Sequence, residues 1–327
     1  MQELEHGSIA ANGRARMASL QSLGAIVALA AVACAGNQPA RRMIQYSELS
    51  ATVVAAADHR IAYGDGSLQF GELRLPSGSA TVPLIVLIHG GCWRAQYDLK
   101  HVAAASAALV KDGFATWTVE YRRVGDSGGG WPGTFDDIAH AVDHVRLLAM
   151  QFHRIDTTRV ILMGHSAGGQ LALWAASRRQ NETTGLFRSS RPPLPVAGVV
   201  SLAGITDLAE YGATTSGCNG AVTPLMGGTP ATVANRYLAV SPVERVPIGV
   251  PVQLVHGEAD PIVPLAQSRK FAARNSAAGG VSAVSVVPGA GHFDLVAPQA
   301  EAWTTVLRAV HALTDAGNTR PVHTGKR

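Results

Sequence analysis

Two kinds of apolar pattern alternate along the chain. Short flat runs of Val, Ile and Leu at 84–88, 115–120, 160–163, 196–202, 252–255 and 283–287 stand between longer helical patterns at 102–111, 135–150, 168–176, 265–277 and 298–313. A run of four to eight apolar residues that does not alternate belongs to a strand buried on both faces. Strand and helix in turn therefore predict an α/β fold, with a mostly parallel central sheet flanked by helices on both faces. Ahead of it, 57–63 and 69–75 do alternate, and the turn Gly64-Asp65-Gly66-Ser67 between them predicts an antiparallel hairpin. Residues 206–251 break the pattern with Gly, Pro and Thr and read as a short lid insertion over one end of the sheet, while 314–327 read as a disordered tail. The expected organisation is a leader over 1–34, a linker over 35–56 and one domain over 57–313.

The leader has a recognisable order. Arg14 and Arg16 precede an apolar run at 23–33, far short of the ~20 residues of a membrane span. Small residues follow at Ala31, Ala33 and Ala35, so the segment reads as an export signal and places the protein in the periplasm or on the cell envelope. Cys34 leaves two alternatives open. It is either removed with the signal, or lipidated as in a bacterial lipoprotein, although Ala31 stands where that signal usually carries Leu.

Composition narrows the class. With 47% hydrophobic and 15% charged residues the chain can bury a sizeable core, and its Gly and Pro follow no period, which excludes collagen-like sequence. The net charge of +4 does not mark a nucleic-acid partner. Asp315, Arg320, Lys326 and Arg327 in the tail supply +2 of it, and the pairs Arg41-Arg42, Arg122-Arg123 and Arg178-Arg179 are scattered.

The run at 160–163 leads into Gly164-His165-Ser166-Ala167-Gly168-Gly169 and then a helical pattern. Strand, G-x-S-x-G turn and helix make a nucleophile elbow, in which the glycines allow a turn tight enough to push Ser166 out at the strand end. A serine needs a base, and the base needs a carboxylate to orient it. Asp260 follows the strand at 252–255, and His292 follows the strand at 283–287, in the order Ser, acid, His. Glu258 is the alternative acid. After 84–88 comes His89-Gly90-Gly91-Cys92-Trp93, where a Gly-Gly turn can aim amides at a developing oxyanion. The expected donors are the amides of Gly91, Cys92 and Ala167.

Together these residues resemble the α/β-hydrolase superfamily from about Ala57 to Leu313. The H-G-G-x-W loop, with Tyr121-Arg122-Arg123 and Gly130-Trp131-Pro132, is similar to the kynurenine formamidase, carboxylesterase and feruloyl-esterase-like branch. The resemblance implies Ser166, Asp260 and His292 as catalytic and no cofactor. The expected reaction is serine hydrolysis of a small carboxylic ester or aryl formamide through an acyl-enzyme. Trp93, Tyr97, Trp117, Tyr121, Trp131 and Phe135 crowd one stretch, and Trp93, Tyr121, Trp131 and Phe293 are the expected substrate pocket. Two other readings remain open: an exopeptidase-like serine peptidase, for which the segment before Leu84 is too short to hold propeller blades of ~40 residues each, and a non-catalytic binding protein on a hydrolase scaffold.

Other constellations are weaker. His140 and His144 have the helical spacing of a zinc pair but no Glu placed as in H-E-x-x-H, so no metal is expected. Asp136 and Asp137 are neighbours on a helix and point apart. Cys92 sits in the oxyanion loop, and Cys218 in the insertion at the same end of the sheet. In an exported chain they are expected to form a disulfide; otherwise they are two free thiols.

Overall fold

The computed structural model describes residues 42–179 and 191–318. The leader at 1–34 with Cys34, and most of the tail, lie outside the described residues. The strands are β1 (His59–Ala62), β2 (Phe70–Arg74), β3 (Val82–Ile88), β4 (Ala115–Val119), β5 (Ile155–His165), β6 (Gly198–Leu202), β7 (Val252–Gly257) and β8 (Ser282–Val287). They form one sheet in the order β1-β2-β4-β3-β5-β6-β7-β8. The β1/β2 hairpin runs antiparallel, and β2 joins β4 antiparallel; all pairs from β4 to β8 are parallel.

The flat apolar runs have the physical basis expected of them. Successive side chains on a strand point to opposite faces. On β3, Leu84, Val86 and Ile88 enter one core, while Ile85 and Leu87 enter the other. On β5, Val160 and Leu162 divide from Ile161 and Met163 in the same way. Both faces are covered, so neither set of positions can be polar.

The helices are α1 (Tyr46–Ala51), α2 (Ala103–Lys111), α3 (Gly133–Asp143), α4 (Val145–Gln151), α5 (Ala167–Ala176), α6 (Leu208–Tyr211), α7 (Val222–Met226), α8 (Ala234–Val240), α9 (Leu265–Ala277) and α10 (Ala302–Asn318). Phe135 and Ile138 of α3, Leu171 of α5 and Phe271 of α9 pack on one face of the sheet. Leu109 of α2 and Val306 and Val310 of α10 pack on the other.

Three segments differ from expectation. The pattern at 135–150 is two helices, α3 and α4, meeting at His144, whose ring lies over Trp117 with centroids 6.1 Å apart. Part of the expected linker is α1, which Leu49, 2% exposed, ties to the α2/α10 core. α10 runs through Asn318, into the segment expected as tail. The insertion at 206–251 is a packed part of the domain, with Leu208, Val222, Leu225, Tyr237 and Val240 in the larger core. Its root is stapled to α9: the Gln267 side-chain oxygen accepts from the amides of Thr206 and Asp207, at 2.9 and 2.8 Å.

Beside the sheet edge, Asp137 is wholly buried and takes Arg122 through Nε at 2.8 Å and Nη2 at 2.6 Å, with Gln69 Nε2 at 2.6 Å. This carboxylate therefore belongs to the structure. Removing one partner of such a pair strands the other charge. Asp137→Ala should lower stability by about 3 kcal/mol, the lower end for a buried pair because Arg122 keeps some water contact. A urea midpoint unchanged from wild type would contradict that account.

Candidate active site

Ser166 ends β5 and opens α5 with φ 57° and ψ −119°, a backbone conformation that L-residues seldom adopt. Such a residue stores about 1–3 kcal/mol and persists only where its surroundings over-determine it. Here the Ser166 amide donates to the Leu202 carbonyl at 2.8 Å, and its carbonyl accepts from the amides of Gly169 and Gln170 at 2.9 and 3.2 Å. The turn also requires bare backbone on either side. A Cβ on Gly164 would stand 2.0 Å from the Gly168 carbonyl oxygen, and one on Gly168 would stand 2.2 Å from that of Ile88.

His292 lies on the loop after β8, and Asp260 on the loop after β7. The Nδ1 of His292 donates to Asp260 Oδ2 at 2.6 Å, which leaves Nε2 as the lone pair. The other carboxylate oxygen accepts from the amides of Ile262 and Val263, at 2.8 and 2.9 Å. Burial pushes the Asp260 carboxyl up, but His292 and these amides outweigh it and hold it below the usual range. Glu258 is exposed, and among the described residues it accepts only from the Gly289 amide, at 3.3 Å. Asp260 is the carboxylate that touches His292.

The loop after β3 carries three consecutive residues with positive φ: Gly91 at 103°, Cys92 at 53° and Trp93 at 54°. At Gly91 a Cβ would stand 2.3 Å from that of Tyr97, so glycine is required there. Two non-glycine residues in this region need support. Trp93 is held by its carbonyl accepting from Val124 at 2.8 Å and by Nε1 donating to Gln170 Oε1 at 3.1 Å. Cys92 is held by a disulfide to Cys218, their Cα atoms 5.2 Å apart, and beside it Arg94 Nη2 donates to the Gly217 carbonyl at 2.8 Å. Among the described residues the amides of Gly91, Cys92 and Ala167 have no acceptor. They remain available to a ligand.

The expected pocket is only partly accessible. Trp93 and Tyr121 are fully buried. Tyr121 lies beneath the loop after β3, stacked on His89 with its hydroxyl donating to the His89 carbonyl at 2.9 Å; Trp93 is fixed by Gln170. Neither side chain can meet a substrate, and both brace the loop instead. Phe293 stays partly exposed with its ring 5.1 Å from that of His292, and Trp131 is half-buried, 5.7 Å below the Arg236 guanidinium. Two aromatics that the sequence did not single out as pocket residues join Phe293. Tyr46 of α1 meets Tyr97 edge-on at 5.0 Å and Phe293 at 6.0 Å. Tyr46 had no signal to find it by, because it lies in a segment without strand or helix pattern.

His140 is exposed and His144 packs on Trp117. Among the described residues no group of His, Cys, Asp and Glu is arranged to hold a metal ion.

Sheet order, elbow and loop-borne His and Asp define an α/β hydrolase. The chain belongs to the BD-FAE family, whose model matches residues 72–274. It is 27% identical over 269 residues to esterase LipC of Mycobacterium tuberculosis strain ATCC 25618 / H37Rv, covering 77% of this chain and 65% of that protein. It is also 27% identical over 227 residues to dipeptidyl peptidase family member 2 of Caenorhabditis elegans, covering 59% of this chain and 24% of that one. The chain thus spans about a quarter of one relative and just under two thirds of the other. Among solved structures, a truncated form of a carbohydrate esterase from gut microbiota shares the fold with TM-score 0.66 and 23% identity, over 80% of this chain and 95% of that one.

Four histidines near or beneath the sheet are held uncharged. Burial first, then the charges of neighbouring histidines, pushes His101 and His165 well below the usual range; burial also lowers His144 and His256. An unfolded chain binds protons at these sites below about pH 6.5, where the folded protein does not, so stability falls as pH drops through that point. Asp260 and Glu120, both held low, add their loss only below about pH 5. The urea midpoint should therefore drop between about pH 7.5 and 5.5 at constant m. A flat midpoint over that window would show that these imidazoles are not held neutral.

Proposed function

We propose that the protein hydrolyses a small carboxylic ester through a serine acyl-enzyme, with Ser166 as nucleophile, His292 as base and Asp260 as the group that orients it. The observation that carries this reading is the 2.6 Å bond from His292 Nδ1 to Asp260, which leaves a lone pair on Nε2 at the end of the sheet where Ser166 leaves β5. Ser166 Oγ attacks the ester carbonyl and its proton passes to Nε2. The carbonyl oxygen, now negative, takes the free amides of Gly91, Cys92 and Ala167. Collapse breaks the bond to the leaving alcohol, which receives the proton from Nε2. Water then attacks the acyl-enzyme, again giving its proton to His292, and the acid departs as that proton returns to Ser166.

Ester is preferred to aryl formamide because the similar proteins include an esterase and a carbohydrate esterase by name. Phe293, Tyr46 and Tyr97 offer aromatic surface beside His292, where a leaving group would emerge, and suit a ring on the alcohol side. Likeness to a dipeptidyl peptidase over a quarter of its length keeps a peptidase as the second reading.

A panel of p-nitrophenyl esters, N-formylkynurenine and an Xaa-Pro p-nitroanilide separates these readings. Ser166→Ala and His292→Ala should each lower ester turnover by several orders of magnitude while the chain stays folded, because members of a triad act as a unit. Asp260→Asn should be severe and Glu258→Gln mild. The reverse order would overturn the choice of acid.

We further propose an exported protein, anchored by a lipid if Cys34 is the mature N-terminus. The leader's pattern of charge, apolar run and small residues supports this, as does the Cys92–Cys218 bond, which suits an oxidising compartment. That bond spans 126 residues of sequence, for which chain-entropy models give about 4 to 5 kcal/mol and measurements usually less. Intact mass of the mature protein should show the new N-terminus and two missing thiol hydrogens. Mild reduction should lower kcat before the global unfolding midpoint moves, since the bond steadies Cys92 in the oxyanion loop. Two titratable thiols in the native exported protein would sink this proposal.

A further inference from the structure

His165 precedes Ser166 in the chain, and its ring packs against that of His292 with centroids 4.4 Å apart. Its Nε2 is 2.9 Å from the His292 carbonyl oxygen. A carbonyl only accepts, so Nε2 carries the proton and Nδ1 keeps the lone pair. That lone pair faces His101 Nε2 at 2.8 Å, which must donate to it. The proton assignment of both rings follows. Hydrogen bonds run one way, from His101 to His165 to the backbone of His292, and the Nδ1 left over on His101 is buried without a partner among the described residues.

Both rings lie out of water, His101 at 2% and His165 at 0% exposure. Tyr46 and Phe293 close over His101 at 5.6 and 5.9 Å between centroids, so water does not replace either bond. The titratable groups facing the pair are His89, His256, His292 and Tyr46. Burial keeps both imidazoles neutral, in agreement with one proton on each.

We propose that His165, its tautomer fixed by His101, is a positioning residue for the general base: it grips the backbone of His292 from the position next to the nucleophile. The inference rests on the roles proposed above for Ser166 and His292. His292 follows Gly289-Ala290-Gly291, which is held by the buried Ala290, whose carbonyl accepts from the Ala259 amide at 3.0 Å, and by the Gly291 amide donating to Asp294 Oδ2 at 2.9 Å. Its ring is held by Asp260, but its carbonyl accepts from no other described donor. Because His165 and Ser166 are consecutive, one hydrogen bond and one peptide unit link the backbone of the base to the nucleophile. A misplacement of ~1 Å at such a site can cost ~10²-fold in rate.

The test compares the full chain as wild type, His165→Phe, His165→Gln and His101→Phe, using p-nitrophenyl acetate turnover and the rate at which a fluorophosphonate labels Ser166. Glutamine can place a donor where Nε2 stands; phenylalanine cannot. His165→Phe should lower kcat and the labelling rate about 30- to 100-fold with KM within about threefold. His165→Gln should recover at least about tenfold of that loss, and His101→Phe should fall between. The downfield proton resonance of His292 Nδ1 should shift or broaden in His165→Phe and stay in place in His165→Gln. If His165→Phe fails to fold, His165→Asn, too short to reach the carbonyl, takes its place against His165→Gln. Equal losses with and without the donor, or no loss in either, overturn the proposal. Wild type that never labels at Ser166 refutes the esterase reading instead, whereas wild type that labels beside variants that label equally fast refutes only this one.

Discussion

At the centre of the molecule, two strand ends touch backbone to backbone. The end of β3 and the elbow approach so closely that a Cβ on Gly168 would stand 2.2 and 2.5 Å from the carbonyl oxygens of Ile88 and His89, and one on Gly90 2.7 Å from that of His165. Real Cβ contacts are never this short, so the approach exists only because no side chain is there. It brings the amide of Ala167, first in α5, toward those of Gly91 and Cys92. Any larger residue at Gly168 must push the elbow and the loop apart, and the rest of the site is built around their contact.

So close an approach demands a rigid floor, which a buried charge supplies. Glu120, 2% exposed, lies at the end of β4 beneath the loop after β3. One carboxylate oxygen takes His89 Nε2 at 3.0 Å and the Tyr121 amide at 3.1 Å, and the other takes the Leu99 amide at 3.1 Å. Arg123 reaches Glu120 at 3.1 Å, Asp126 at 2.9 Å and the Tyr97 carbonyl. Burial pushes the Glu120 carboxyl up, yet His89 and Arg123 outweigh it and keep it ionised. A buried carboxylate this fully partnered fixes the geometry of whatever donates to it. Here the donors belong to the segments before and after the strained residues 91–93.

These differences in construction explain what could be read from sequence. Strands buried on both faces announce themselves as flat apolar runs, and the elbow announces itself because only glycine fits at 164 and 168. The order Ser166, Asp260, His292 was legible in the sequence; they stand after β5, β7 and β8, and the fold brings His292 against Asp260. The pocket was not. Trp93 and Tyr121 looked like pocket residues because aromatics near an active end suggest one, but an aromatic side chain also fills space well, and here both brace the loop. The network of His101 and His165 could not be read either. Its members are 64 residues apart in sequence, and a lone histidine just ahead of a helical pattern carries no sign of what it will face.

Tyr46 shows why chemistry was easier to read than substrate. The reacting groups obey steric and hydrogen-bonding rules that admit few residue types, so their identity survives as a pattern. The surface beside His292 obeys only the need for apolar contact, and its parts come from distant places: Tyr46 from α1, Tyr97 from the loop after β3 and Phe293 from the loop after β8. Three loosely constrained segments meet there, and each can change without disturbing Ser166. The insertion at 206–251 differs from them, since it is tied at its root to Gln267 and at Cys218 to Cys92 in the loop after β3. A change in the insertion would therefore be felt at the free amides of Gly91 and Cys92, while a change in α1 would act on the aromatic surface beside His292.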